Sequence, residues 1–204
     1  MPKVTEAHLT ARRQQILDAA AACFARNGFH HTTMHDLCQM AELSPGALYR
    51  YFAGKEEIIE AMVRERQSTG AAQIEAISRS GSTLQVLEAL ADTFFGELEN
   101  PQACALGIEL WAEALRSPRI RELLNSEISD LRAAFTGIIR RGQERGEINA
   151  GLDAQAVAQV MVSFFEGLVL QQAADRDIDV WKYVDVMKAM MSGRFWLHRP
   201  EGVE

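Results

Sequence analysis

The sequence predicts an all-α protein: a three-helix N-terminal head followed by a longer helical body. Three observations lead there. Apolar residues recur at helical spacing along the whole chain, no segment alternates with period two between hairpin turns, and helix start and stop signals follow one another in regular order. A hydrophobic content of 48% over 204 residues is enough for a sizeable core and excludes a disordered chain.

The first helix is expected over residues 8–27, where Ile16, Ala20, Cys23 and Phe24 form one stripe and Asn27-Gly28 supplies a left-handed stop. Thr33 with Asp36 three residues on forms a capping box for a short helix ending near Ala41. Ser44 caps, and Pro45 opens, another short helix reaching about Tyr51. Gly54-Lys55 then breaks the chain before a fourth helix to about Ile77. Ser78 to Ser82 is the main break in the pattern, and further helices are expected at about 82–99, 102–116, 118–145, 153–175 and 180–197.

The formal net charge of −7 is ill suited to a nucleic-acid partner until its distribution is read. Residues 1–55 hold six Lys and Arg against four Asp and Glu, so the head is mildly basic and the body strongly acidic. Such a molecule offers only its head to phosphate. Cys23, Cys38 and Cys104 lack metal or redox spacing and read as small buried hydrophobes in a reducing compartment. The first residues lack a secretory apolar run, and the longest apolar stretch, Val160 to Leu170, is interrupted and short for a bilayer. A soluble cytoplasmic protein without membrane association is expected.

Two short helices joined by a tight turn need the first helix as a packing partner, which is helix-turn-helix spacing. Leu37, Leu43, Leu48 and Phe52 are the expected inward positions. Ser44, Pro45, Gly46 and Ala47 then present small groups to base edges, with Tyr49, Arg50 and Tyr51 within reach of phosphates. The helix starts at Thr33 and Lys55 are further expected phosphate contacts.

The segment TTMHDLCQMAELSPGALYRYFAGKEEI closely resembles the TetR family of regulators. The resemblance implies that Thr33, Pro45, Gly46, Ala47, Tyr49, Tyr51 and Lys55 lie at a DNA surface, with Leu48 and Phe52 structural. Glu42 departs from the pattern, standing where the turn often has Gly; a left-handed backbone there costs about 1 kcal/mol. Cys38 replaces a frequent Ala. More loosely, LWAEALRSPRIRELL and RRGQERGEI resemble the C-terminal domain of the choline-responsive subset. The implied protein is a homodimeric regulator of double-stranded operator DNA, a repressor released from a pseudo-palindromic site by a small-molecule effector. Its domains would be a head at 1–55 and a ligand-binding and dimerisation body at 56–204.

In the body, Met62, Phe94, Trp111, Phe135, Met161 and Phe165 are the candidates for a pocket holding an apolar or amphipathic effector, with ordinary core packing as the competing reading for each. The last two helices are apolar on more than one face, so Val157, Phe164, Leu168, Val184, Met187 and Met191 are assigned to a dimer seam; Phe195 extends the same stripe. Glu166, a carboxylate in an apolar run, belongs either to that seam or beside a cationic ligand. His30, His31, His35 and Cys38 do not have credible metal spacing, and neither a catalytic constellation nor a cofactor-binding loop is evident. The competing functions are a ligand-independent dimeric DNA-binding protein, whose body would contain no cavity, and a helical enzyme, whose body would contain a polar convergent pocket.

Overall fold

The computed structural model describes residues 6–79 and 81–192. Among them are nine α-helices and a single 3-10 turn, with no strand. The head comprises α1 (Glu6–Asn27), α2 (Met34–Met40) and α3 (Pro45–Leu48). They are followed by α4 (Lys55–Ile77), α5 (Thr83–Gly96) with the 3-10 turn Glu97–Glu99, and α6 (Pro101–Ala114). The last three are α7 (Pro118–Glu144), α8 (Ala154–Ala174) and α9 (Val180–Met191). The expected extension of the last helix to 197, including Phe195, lies outside the described residues.

The starts are where local chemistry places them. Thr33 and Ser82 both form complete capping boxes, with Asp36 and Gln85 respectively. Asp153 and Asp179 accept from the first amides of α8 and α9, and Pro101 and Pro118 stand first in α6 and α7. Gly28 ends α1 with φ +76°, the left-handed conformation that Asn-Gly signals. One element is shorter than expected: α3 has four residues, and Tyr49 to Tyr51 form a turn behind it.

The chain divides into two compact units, one comprising Met1–Gly70 with Pro101–Asp130, the other Ala71–Asn100 with Leu131–Glu204. This division differs from the expected boundary at 55/56. Leu110 and Ala114 of α6 share a core with Ile16 and Phe24 of α1, so the head folds together with a later helix. No pattern local to residues 1–55 reveals such a partner. In this first unit Ile16, Ala20, Leu37, Leu48 and Ile58 are fully buried.

The second unit is built on α5, α8, α9, the second half of α7 and the end of α4. α5 and α7 approach closely at Gly142, where a Cβ would lie 2.7 Å from Thr83 Oγ1, so a larger residue would force Thr83 to move. At the same junction Glu147 accepts from the Thr83 amide at 2.6 Å and Arg145 donates to the Thr83 hydroxyl at 2.9 Å. Hydrogen bonding from the Thr83 side chain and amide holds the Glu147 carboxyl below its usual pKa.

By length and composition α8 is apolar enough to cross a membrane, with a mean hydropathy of 1.2. The interrupted stretch Val160 to Leu170 thus belongs to a 21-residue helix. Its two apolar faces account for that composition: Ala158, Val162 and Leu168 are buried within the unit, while Val160 and Leu170 are exposed.

Candidate functional site

Leu37, Leu48 and Phe52 are buried and Leu43 is half-buried, so the inward positions of the head are those its spacing implies. The Arg13 guanidinium sits 5.3 Å from the centroid of the Phe52 ring. Glu42 has φ 51°, the left-handed backbone that its departure from Gly makes costly.

This packing leaves the start of α3 outside. Ser44, Pro45 and Gly46 are exposed, Ala47 is half-buried, and Ser44 Oγ accepts from the Ala47 amide at 3.3 Å. A Cβ at Gly46 would meet nothing within 4 Å, so the fold does not require glycine there, and its smallness faces outward. Tyr49 is 53% exposed and Arg50 is exposed, whereas Tyr51 is half-buried against the core with the Arg50 guanidinium 6.0 Å from its ring centroid.

Thr33 and Lys55 have internal partners. The Thr33 hydroxyl donates to Asp36 Oδ2 at 2.7 Å and accepts from the Asp36 amide at 3.2 Å, while the Thr33 amide donates to the same carboxylate at 2.8 Å. Those bonds hold Asp36 below its ordinary pKa, so a carboxylate anion occupies the helix start expected to receive phosphate. Lys55 Nζ donates to the Phe29 carbonyl at 2.8 Å and lies 4.6 Å from the Phe29 ring centroid.

Two residues of α6 were missed by sequence reasoning. Glu109 accepts from the Phe29 amide at 2.8 Å, and Glu113, buried, stands 3.1 Å from His30 Nε2. Their signal was two carboxylates four residues apart in an otherwise apolar helix, a spacing that places both on one side of it. His31 and His35 are exposed, and among the described residues no three His, Cys, Asp or Glu side chains converge as for a metal. Burial raises the pKa of the Cys23 and Cys104 thiols.

The second unit contains a cavity of about 430 Å³, including its open mouth, between α5, α7, α8 and α9. Phe94, Phe135, Met161 and Phe165 line it, as the sequence pattern proposed. Phe94 contacts Phe135 and Phe165 at centroid distances of 6.4 and 6.0 Å. Every other lining residue is apolar too, among them Leu87, Phe95 and Leu131. Two expected residues are elsewhere. Trp111 is 40% exposed on α6, and Met62 packs against the core of the first unit. Periodicity identified both as large apolar residues but not the side each would take.

The residues assigned to a dimer seam also divide. Met187 lines the cavity, Leu168 and Val184 are buried in the protomer's own core, and Phe164 meets Phe95 edge-on at 5.9 Å. Val157 is half-buried and Met191 exposed. The exposed large apolar residues of these helices are Val160 and Leu170 on α8 with Trp181, Tyr183, Val186, Met190 and the expected Met191 on α9. Both faces of each helix are apolar, so the pattern alone fixed neither as the inner one. Glu166 is half-buried and outside the cavity lining.

An N-terminal helix-turn-helix in a chain whose second unit is a helical bundle with an apolar cavity defines the class of helix-turn-helix transcription regulators. Residues 16–62 match the model of bacterial regulatory proteins of the tetR family, and residues 84–192 match that of the BetI-type transcriptional repressor C-terminal domain. The chain belongs to the TetR family of transcription regulators. It is 27% identical over 193 residues to the HTH-type transcriptional regulator UidR of Escherichia coli K12, covering 93% of this chain and 94% of that one. Among solved structures it resembles Salmonella enterica GusR, with a TM-score of 0.75 and 27% identity, covering 93% and 98% of the two chains. The fold is also that of Bacillus subtilis FadR in complex with stearoyl-CoA, with a TM-score of 0.76, 22% identity and 87% and 96% coverage.

Proposed function

We propose that the chain is a homodimeric repressor that leaves a pseudo-palindromic operator when a small apolar or amphipathic effector enters the cavity of its second unit. The observation that carries this reading is that cavity, lined wholly by apolar side chains in a chain that begins with a helix-turn-helix. A hydrocarbon or aromatic group buried there gains about 25 cal/mol per Å² of apolar surface removed from water. With no polar lining group to orient a sugar or charged ligand, burial rather than hydrogen bonding sets the affinity.

In the head, Ser44 to Ala47 enter the major groove with only small groups in the way, and Tyr49 and Arg50 reach the flanking phosphates. Pairing two such heads requires a dimer. Val160, Leu170, Tyr183, Val186 and Met190 offer an apolar surface from two helices, which two copies would bury as a four-helix bundle. The effector acts by binding more tightly to a conformation whose heads no longer match the operator spacing.

The test is binding of the purified dimer to a duplex spanning the DNA immediately upstream of its own coding sequence, followed by titration with a panel of neutral hydrophobic compounds. Specific binding reversed by at least one compound is expected. Operator binding indifferent to the whole panel, with no compound bound to the protein, would establish a ligand-independent DNA-binding protein instead.

A further inference from the structure

The turn after α1 is held from outside the head by side chains of two other helices. The Phe29 amide donates to Glu109 Oε2 at 2.8 Å, and the Phe29 carbonyl accepts from Lys55 Nζ at 2.8 Å. Both backbone groups of one residue are thus held by charged side chains, one from α6 and one from the start of α4. Gly28 makes the approach possible: with φ +76° and no side chain, it admits a carboxylate oxygen 3.3 Å from where its Cβ would stand. One turn along α6, the Glu113 carboxylate is buried, and the imidazole Nε2 of His30 stands 3.1 Å from its Oε2, off hydrogen-bonding geometry. Burying a carboxylate costs several kcal/mol unless a partner is near, so α6 has a stake in where His30 sits.

The turn itself is stiff. The Thr32 hydroxyl donates to the Gly28 carbonyl at 2.8 Å, and the next residue, Thr33, is the cap of α2. A displacement of the turn is therefore handed directly to α2 and from there to α3. Leu110 and Ala114, each one residue beyond these glutamates, anchor α6 in the core it shares with α1.

We propose that Glu109 and Glu113 are positioning residues for DNA binding: they tie residues 28–33, and with them α2 and α3, to α6 in the placement that reads DNA. This rests on the DNA-binding reading above. A shift of α6 pulls this tie directly, and no contact between α6 and DNA is needed. Glu109 makes the stronger connection because its acceptor is charged and its geometry good.

Glu109→Leu, Glu109→Ala and Glu109→Gln separate positioning from simple packing. The amide oxygen of Gln still accepts from Phe29, whereas Leu and Ala remove the acceptor; Ala serves if Leu overpacks the site. Hydrogen exchange of the Phe29 amide reads the tie without any DNA, and affinity for the upstream duplex reads its consequence. In the Leu and Ala variants exchange is expected to rise and duplex affinity to fall, each by about tenfold, with helix content and dimerisation intact. Glu109→Gln should keep both within about threefold of wild type. Unchanged Phe29 exchange in Leu and Ala overturns the tie, and faster exchange with unchanged duplex affinity overturns the positioning role. Failure of the wild-type chain to bind the duplex, with the exchange pattern as expected, removes the DNA reading and the positioning role while leaving the tie itself in place.

Discussion

Lys55 and Phe29 form a clasp in which the ammonium donates to the phenylalanine's carbonyl at 2.8 Å and sits 4.6 Å from the centroid of its ring. The lysine is at once the first residue of α4 and a cross-link to the end of α1, 26 residues earlier. Lys55→Ala should therefore lower stability by about 1 to 2 kcal/mol, combining a charge-assisted hydrogen bond and a partly exposed cation-π contact. Urea unfolding with an unchanged m-value checks it. A variant as stable as wild type would leave Lys55 a phosphate contact only, recognisable by a salt slope lower by roughly one.

Glu42 is held at φ 51°, where a side chain crowds the backbone. Glu42→Gly relieves that strain but frees the unfolded chain, so the net gain should be small, about 0.5 kcal/mol. A higher thermal midpoint is the expected result, and a lower one would mean the Glu42 side chain stabilises the turn by other means.

The effector response should follow the cavity and ignore Trp111. Ala91 lines the cavity, so Ala91→Leu fills part of it and raises the effector concentration needed for release by roughly tenfold or more, with duplex affinity unchanged. Trp111→Ala, outside the lining, should respond like wild type. Titration of release for both variants decides; the reverse pattern would move the effector site to α6.

Charge on the exposed stripe should behave differently from charge on the opposite side of the same helix. Val186 is 51% exposed and Val184 fully buried. Val186→Asp should give folded monomers with collapsed operator affinity, whereas Val184→Asp buries an unpaired carboxylate and should unfold the protein. Sedimentation and circular dichroism distinguish them, and a dimeric Val186→Asp would exclude this face as the seam.

Asp36 links the start of α2 to pH. Its folded pKa is depressed by the bonds from Thr33, so it is easier to protonate in the unfolded chain. Its contribution is present in full above the ordinary aspartate range and is lost as pH falls through the lowered folded value. Asp36→Asn should be less stable than wild type at neutral pH, and the gap should close in acid. A gap constant down to strongly acidic pH would show that ionisation of Asp36 is not what stabilises the cap.

The sequence by itself determined what depends on near neighbours along the chain. Thr33 with Asp36, Ser44 with Pro45, and Asn27 with Gly28 are local contacts between residues at most three apart, and they place the helix-turn-helix without reference to the rest of the molecule. The inward stripe Leu37, Leu48 and Phe52 was legible for the same reason, because in the head each helix has a single apolar side. Tertiary structure alone decided which side of α8 and α9 turns inward. Both sides are apolar, and rotating α9 by one residue, about 100°, exchanges the cavity residue Met187 with the exposed Val186. It also decided that Trp111 stands outside the cavity and that Glu109 meets the Phe29 amide across 80 residues of chain. Periodicity reports how apolar a face is, whereas its partner depends on how distant helices cross, and that information is absent from any local window.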